Sequence, residues 1–182
     1  IGNYLADEIS VNPIPTTHEA FEQTEKAVKD RIDTLMNIKG KQTVESFHKR
    51  LGKIMWEKCG MARNTQGLTE AISEIQQLKK EFWSDVKVPG EINEMNPELD
   101  KAGRVADFIE LGELMCKDAL QRNESCGGHF REESQTEEGE AKRDDDNFAY
   151  VSAWEYKGES NWELNKEPLE FEVVKLTQRS YK

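Results

Sequence analysis

The fold of this chain is decided by one short stretch of sequence, Arg122-Asn123-Glu124-Ser125-Cys126-Gly127-Gly128-His129-Phe130-Arg131-Glu132-Glu133. It follows the longest helical pattern of the chain and precedes the only strand-like patterns. Adjacent glycines permit positive φ angles and close approach of the backbone, so the chain can turn sharply at this point. The sequence therefore predicts a bend between two structures, which holds His129 and Arg131 in fixed positions.

Before the bend, the spacing of apolar residues predicts amphipathic helices over residues 16–38, 43–60, 65–86 and 96–122. Thr16 with Glu19 forms a capping box for the first, Thr43 caps the second, and Asn96 followed by Pro97 opens the fourth. Short loops favour antiparallel neighbours. Apolar residues of the fourth helix occupy more than one face, so we expect the other helices on one side and a further partner on the other.

After the bend, residues 132–146 are rich in charge and poor in apolar side chains, which predicts a mobile or partner-ordered loop. Residues 148–156 then alternate with a period of two and predict a strand, and residues 169–176 predict a second one, with Gly158, Ser160 and Asn161 in the turn. The predicted fold is mainly α (α+β): an antiparallel three- to four-helix bundle followed by a small antiparallel β-hairpin. Because an isolated hairpin is marginal in water, it should lean on the helices.

Charge and composition exclude several classes of function. The net charge is −11, which opposes binding to nucleic acid or to an anionic membrane surface. No apolar run approaches the ~20 residues that cross a bilayer, and the N-terminus lacks the features of a signal peptide. The three cysteines have no paired spacing, which indicates a reducing, cytoplasmic compartment. The chain does not begin with Met, so we expect a fragment.

Few residues are candidates for chemistry. Ser125, Cys126 and His129 lie close in sequence and would suit a nucleophile with its base, but a cysteine beside a glycine turn is more often a small buried residue. Cys126 and His129 also resemble half of a metal site, without a second ligand pair at zinc spacing. His18 and His48 are interpreted as surface or half-buried structural residues, and the four tryptophans, Trp56, Trp83, Trp154 and Trp162, mostly as core. We therefore predict no catalytic, cofactor-binding or metal residue in this chain.

Several segments resemble a known family. Those around the bend, Glu124-Ser125-Cys126-Gly127-Gly128-His129-Phe130-Arg131 and Arg143-Asp144-Asp145-Asp146-Asn147-Phe148, are similar to Glu-Ser-Arg-Gly-Ala-His-x-Arg and Arg-Asp-Asp-Glu-Asn-Trp of succinate dehydrogenase and fumarate reductase flavoprotein subunits. The run from Met55 to Arg63, with Gly67-Leu68, resembles the family's Met-Trp-x-x-x-Gly-x-x-Arg-x-x-x-Gly-Leu, and Asn96-Pro97-Glu98-Leu99 opens its last long helix. The sequence departs at Cys126, where most members carry Arg, and at Gly128, where they carry Ala.

The resemblance implies the C-terminal part of such a subunit. Residues 1–12 would be the end of a flavin-binding domain helix, 13–123 the helical domain, and 124–182 the C-terminal domain with its acidic loop and hairpin. His129, Arg131, Glu124 and Ser125 would contact the flavin-binding domain; the alternative is that His129 and Arg131 only tie the bend to helix ends. A frayed terminal helix is likewise an alternative for the first residues.

The full-length enzyme implied by the resemblance would interconvert succinate and fumarate, with FAD as cofactor. Its partners would be an iron–sulfur subunit and, indirectly, a cytochrome b membrane anchor, on the cytoplasmic side of the bacterial inner membrane. The fragment alone lacks a Gly-x-Gly-x-x-Gly turn and is expected to bind no FAD and to be inactive. The alternatives are a stand-alone helical interaction module and a fragment of an L-aspartate oxidase-like flavoenzyme.

Overall fold

A computed structural model of the chain describes residues 1–4, 6, 14–158 and 160–177. Its elements, in chain order, are α1 (Gly2–Tyr4), α2 (Glu19–Asn37), β1 (Gln42–Thr43), α3 (Val44–Lys58), β2 (Ala62–Arg63), α4 (Thr65–Asp85), β3 (Val86–Lys87), α5 (Pro97–Gln121), β4 (Phe130–Arg131), α6 (Asp145–Phe148), β5 (Tyr150–Gly158) and β6 (Asn161–Pro168). The mainly α fold with a helical bundle and an antiparallel hairpin is confirmed. Half of the helix end expected within residues 1–10, positions 5 and 7–10, lies outside the described residues, and α1 lies in the other half.

Two of the three predicted helix caps, Thr43 and Asn96, are confirmed. The hydroxyl of Thr43 accepts a hydrogen bond from Ser46 N at 3.2 Å, and Asn96 Oδ1 accepts from Leu99 N at 3.0 Å. The capping box at Thr16 is wrong, because α2 begins at Glu19 and its cap is His18, whose Nδ1 accepts from Ala20 N at 3.2 Å. An imidazole nitrogen can replace a hydroxyl as the acceptor for a free helical N–H.

The core lies where α3, α4 and α5 meet. Phe47 of α3 meets Phe82 of α4 edge to face, with ring centroids 5.3 Å apart, and both are fully buried. Helices α3 and α4 run antiparallel. Two ion pairs between them show this, because Arg50, earlier in α3, pairs with Glu81, later in α4, while Lys58 at the end of α3 pairs with the earlier Glu74. Helix α2 buries only Leu35, so most of its length is exposed.

Gly40 is a position where only glycine fits. It lies between α2 and β1, where β1 pairs in parallel with β3, and a Cβ atom built on it would overlap the backbone carbonyl of Asp85. The clash would be with the backbone of Asp85, which cannot move to another rotamer as a side chain can. We expect Gly40→Ala to lower the free energy of unfolding by about 1–3 kcal/mol, measured by urea denaturation.

The matched control is Gly52→Ala. Gly52 lies inside α3 with open space around its Cα, so alanine there should stabilise the chain by about 0.5–1 kcal/mol through helix propensity. Equal effects of the two substitutions would contradict the close approach at Gly40.

The predicted hairpin is confirmed, but its second strand is Asn161–Pro168 and not residues 169–176 as predicted. Gly158 (φ 91°) and Ser160 (φ 63°) adopt left-handed conformations, so the chain reverses at once and Asn161 pairs with Gly158. Strand β6 reaches the end of β5 when Pro168 pairs with Tyr150. The predicted strand at 169–176 therefore lies beyond its partner and forms no strand.

The acidic loop 132–146 forms turns that are closed by its own hydrogen bonds. Thr136 N donates to Glu140 O at 2.8 Å, Lys142 N donates to Ser134 O at 3.1 Å, and Gln135 bridges to Ala141. Its mobility stays a prediction.

The expectation that the tryptophans lie mostly in the core is wrong. Trp56 is 84% exposed on α3, while the other three are half-buried. Trp154 Nε1 donates to Asp118 at 2.8 Å, and Lys117 Nζ lies 4.4 Å from the ring centre of Trp162. The two hairpin tryptophans thus pack the hairpin against the last turns of α5. The hairpin is therefore the second partner expected for that helix.

Both His18 and His48 are exposed, in agreement with a structural surface role. Among the described residues, no helix combines the length and the apolar character that a membrane span needs.

Candidate functional site

The bend is a tight loop closed on itself. Cys126 N donates to His129 O at 2.8 Å and His129 N donates to Cys126 O at 3.0 Å. Gly127 takes a φ of 59°, the left-handed conformation that the glycine pair predicts. A Cβ atom on Gly127 or Gly128 would meet nothing within 4 Å, so the tip of the bend has open space around it.

A short parallel pairing fixes the bend to the helical bundle. β2, between α3 and α4, pairs with β4 in the register Ala62 to Phe130 and Arg63 to Arg131. Glu132 N extends the pairing by donating to Arg63 O at 2.8 Å. We call residues 62–65 and 122–133 together the seam.

Arg131 is the central side chain of the seam and is 1% exposed. Its guanidinium donates to the carbonyl oxygens of Ala119 (2.9 Å) and Leu120 (3.2 Å) at the end of α5 and to Thr65 Oγ1 (2.8 Å) at the start of α4. The last carbonyls of a helix have no partner within the helix, so Arg131 satisfies groups that would otherwise be buried without one.

Glu133 completes the charge balance of Arg131. The Arg131 Nε atom donates to Glu133 Oε2 at 3.2 Å, and Thr65 N donates to Glu133 Oε1 at 2.6 Å. Desolvation favours the neutral acid, but the hydrogen bonds from Thr65 and Arg131 outweigh it and lower the pKa of Glu133 to about 2. Glu133 is therefore ionised at the N-terminus of α4, where a negative charge is also favoured by the helix dipole.

Ser125 and Glu124 fix the start of the bend, and both are buried. Ser125 Oγ accepts from Arg131 N at 2.8 Å, and its hydroxyl donates to Arg131 O at 3.2 Å. The Glu124 carboxylate accepts from Arg122 at 2.8 Å and from Asp144 N at 2.9 Å. Glu124, through Asp144 N, therefore joins the bend to the segment that leads into the hairpin, as does Ser125 N, which donates to Lys142 O at 2.9 Å.

His129 is held neutral by its two partners. Its Nε2 lies 2.8 Å from Arg122 O, which can only accept, and its Nδ1 lies 2.8 Å from an Arg63 nitrogen, which can only donate. The proton is therefore on Nε2. Burial lowers the pKa of His129, the hydrogen bond to Arg122 O opposes this, and the nearby charges of Arg63, Arg131 and Arg122 lower it further.

This arrangement predicts a loss of stability at mildly acidic pH. A histidine whose pKa is lower in the folded state than in the unfolded state, near 6.5, binds its proton more readily when unfolded. The contribution is therefore fully present above about pH 6.5 and is lost as the pH falls below it. We expect the urea midpoint to decrease between pH 7.5 and 5.5, and His129→Gln to reduce that decrease.

His48→Gln is the matched control, because His48 is exposed and lies outside the seam. The same pH dependence in wild type and His129→Gln would contradict a neutral His129 in the fold.

The structure brings Glu124, Ser125, His129 and Arg131 together and gives each a partner within this chain. Ser125 bonds to the Arg131 backbone, and both ring nitrogens of His129 are occupied by Arg63 and Arg122, so neither is set as a base for Ser125 or Cys126. Among the described residues, no three His, Cys, Asp or Glu side chains converge to hold a metal. The hydrogen bonds and ion pairs of this site hold the end of α5, the start of α4, the bend and the hairpin together.

Sequence reasoning missed Arg63 and Arg122 as members of this site. Arg63 stands opposite Arg131 in the parallel pair, and Arg122 donates to Phe148 O and Tyr150 O as well as to Glu124. The signal for Arg63 was its place at the end of the Met-Trp motif. For Arg122, the sequence carried no signal beyond its position at the end of a helix.

Comparison with known proteins gives the family. The model of the fumarate reductase flavoprotein C-terminal region matches residues 48–181. The fumarate reductase flavoprotein subunit of Helicobacter pylori is 30% identical over 131 residues, covering 72% of this chain and 18% of the relative. That of a Serratia species is 27% identical over 173 residues, covering 95% of this chain and 27% of the relative.

A solved structure entitled quinol-fumarate reductase with menaquinol molecules has the same fold, with a TM-score of 0.78 at 21% identity, covering 95% of this chain and 29% of that one. The chain thus spans less than a third of the length of the proteins it matches. The resemblance seen in the sequence is confirmed: the chain belongs to the fumarate reductase flavoprotein C-terminal family.

Proposed function

We propose that this chain is the C-terminal part of the flavoprotein subunit of a succinate:quinone or quinol:fumarate oxidoreductase. In the full-length subunit, hydride would move between succinate or fumarate and FAD, and electrons would pass through an iron–sulfur subunit to quinone. The family match over residues 48–181 carries this proposal. The complex would lie at the cytoplasmic face of the inner membrane, attached through its cytochrome b anchor.

The proposed role of this chain within the subunit is rigid support. Residues 1–12 would end the flavin-binding domain, 13–123 would form the helical domain, and 124–182 the C-terminal domain. Residues 13–123 and 124–182 would act as one rigid body, since Arg131 is hydrogen-bonded to α4 and α5 and Trp154 to Asp118. Side chains held this firmly could position a neighbouring domain without moving.

No step of flavin chemistry is assigned to these residues. A dinucleotide pyrophosphate is held by a glycine-rich turn between a parallel strand and a helix. In the described parts of the chain, the parallel strands are the two-residue pairs β1–β3 and β2–β4, which do not build that unit. We propose that FAD binds to the remainder of the subunit and that this chain alone is inactive.

Exposed apolar side chains on two helices support docking to other parts of the complex. Phe108, Leu111 and Met115 lie along one side of α5 and are 44%, 52% and 45% exposed. Phe21 and Val28 lie along α2 and are both 53% exposed. Such stripes are typical of surfaces that another protein covers.

Co-purification tests the proposed function. The full-length subunit, expressed with its neighbouring genes, should copurify with an iron–sulfur subunit, contain FAD, and reduce fumarate or oxidise succinate with an artificial electron carrier. A full-length gene that encodes no dinucleotide-binding fingerprint upstream, or a purified protein without flavin, would contradict it.

Photo-crosslinking tests the interdomain contact at the bend. A benzophenone amino acid at Gly128, which has open space around it, should cross-link to the flavin-binding domain of the same subunit. The same group at Gly52, on the exposed side of α3, serves as the control. Cross-links from position 128 that map only within residues 13–182 would favour the alternative that the bend merely ties helix ends together.

A further inference from the structure

Residues 169–176 have the sequence of a strand and no strand partner in this chain, and the proposed function gives them no role. Five of the eight are large and apolar: Leu169, Phe171, Val173, Val174 and Leu176. Aromatic and β-branched residues such as Phe and Val are enriched in strands, because they pack well on a pleated, half-buried surface. We call residues 169–176 the tail segment.

The apolar side chains of the tail segment are not covered by the rest of the described chain. Val173 is 91% exposed, and the other four are between 40% and 68% exposed. Single exposed apolar residues are common on protein surfaces. Five of them within eight consecutive residues form a patch, which is typical of a surface that another protein or domain covers.

The backbone of the tail segment is also free. The hairpin ladder ends where Leu169 N donates to Ala149 O at 3.0 Å. Within the described part of the chain, positions 170–176 make no backbone hydrogen bond, and the chain changes direction at 172–173. A row of unpaired N–H and C=O groups next to apolar side chains is a template for pairing with another strand.

The far end of the tail segment is held close to the start of the bend. Thr177 O accepts a hydrogen bond from Arg143 Nη1 at 3.0 Å. The next residue, Asp144, donates its N–H to the carboxylate of Glu124 at 2.9 Å. The tail segment therefore runs from the end of the hairpin to the bend, next to the surface that the proposed function places against the flavin-binding domain.

We propose that the tail segment docks on the flavin-binding domain of the same subunit by adding a strand to an open edge of its sheet. This inference rests on the proposed function, which supplies that domain. A dinucleotide-binding fold is built on an open sheet, so it has edge strands. An extended segment that adds to such an edge gains affinity from backbone hydrogen bonds, and pockets for alternate side chains give specificity.

Charge and chain length favour this occupant over a second copy or another subunit. The net charge of the chain is −11, so two copies repel each other. The chain covers 18% and 27% of the two fumarate reductase relatives described above, so most of the proposed subunit is joined to it covalently. A covalently joined partner acts at a high effective concentration, which a separate subunit does not share.

Amide hydrogen exchange of the full-length subunit, resolved to single residues by mass spectrometry, tests the pairing. Exchange within 170–176 should be slowed by about 100-fold or more at every second residue, because alternate N–H groups of an edge strand face its neighbour. In residues 1–182 alone, all of these amides should exchange rapidly. Rapid exchange throughout the segment in the full-length subunit, or equal protection of every amide, would overturn the proposal.

Two proline variants of the full-length subunit form a matched pair. Val173 and Val174 are adjacent, so their N–H groups point to opposite edges of an extended strand, and proline removes one N–H group. One of Val173→Pro and Val174→Pro should abolish the protection of the neighbouring amides, while the other should preserve it. Equal effects of the two substitutions would contradict strand pairing.

Photo-crosslinking identifies the partner. A benzophenone amino acid at position 173 should cross-link to the flavin-binding domain of the same subunit, whereas cross-links only to a second copy or to the iron–sulfur subunit would overturn the proposed occupant. Flavin content is measured on the same samples. A protein without flavin would count against the proposed function, while flavin-loaded protein with rapid exchange at 170–176 would overturn this docking alone.

Discussion

Replacement of Arg131 by methionine is expected to lower the free energy of unfolding by about 3–5 kcal/mol. The guanidinium is 1% exposed, and its loss would leave the carbonyls of Ala119 and Leu120 without this donor and Glu133 without its charge partner. Each buried carbonyl left without a hydrogen bond costs about 1–3 kcal/mol, and the loss of the ion pair to the partly exposed Glu133 adds less. Urea denaturation followed by far-UV circular dichroism measures the change.

Arg104→Met is the matched control. Arg104 forms an ion pair with Asp100 at 3.0 Å, and both side chains are more than 60% exposed, so its loss should change stability by less than about 1 kcal/mol. Similar losses for the two substitutions would mean that the buried contacts of Arg131 do not hold the seam together.

Replacement of Ile109 by aspartate is expected to cost at least about 4 kcal/mol and to abolish the fold or the assembly of the subunit. Ile109 is fully buried in the core between α5 and its neighbours, and an unpaired charge there has no compensating partner. Stabilities of single domains are about 5–15 kcal/mol, so the loss removes a large share of the free energy of unfolding. Soluble yield, helical circular dichroism and copurification of the iron–sulfur subunit would all decrease.

Leu111→Asp provides the control on the same helix, because Leu111 is 52% exposed. In the chain by itself, this change should alter stability by about 0.5 kcal/mol or less. In the complex it should reduce copurification if α5 docks through that side, so stability and copurification are measured separately. A large loss of stability from Leu111→Asp would show that the exposed stripe has been misassigned.

Sequence patterns predicted the helices well because each carries a long apolar repeat and a polar cap. Asn96 with Pro97, for example, is a local signal that needs no knowledge of the rest of the chain. The cap at Thr16 was wrong because His18, which was not considered as a cap, lies within one turn of it and caps α2 in the structure. Rules based on frequency favour the hydroxyl, and the structure uses the imidazole.

The second strand was misplaced because alternation alone does not determine where a hairpin turns. Residues 169–176 alternate more clearly than Asn161–Pro168, whose Glu163 and Lys166 are charged. The left-handed conformations of Gly158 and Ser160 decide the register instead, and a non-glycine residue in that region is hard to foresee from sequence.

The candidate site was predicted in its residues but not in its contacts. The bend and the importance of His129 and Arg131 followed from the glycine pair and the family resemblance. Their partners Arg63 and Thr65 lie more than 60 residues earlier in the chain, and no local pattern indicates such a pairing. The direction in which the Trp56 ring points depends likewise on how α3 packs.

The parallel pairing of Ala62–Arg63 with Phe130–Arg131 has a consequence for the order of folding. It joins segments that are far apart in sequence, so its formation first requires closing a long loop, with an entropic cost that local helices do not incur. Two residues on each side provide little enthalpy for that closure until α4 and α5 are already in contact. We therefore expect that, when hydrogen exchange is measured at successive times during refolding, the amides of these helices become protected first and those of Glu132 and Ser125 last.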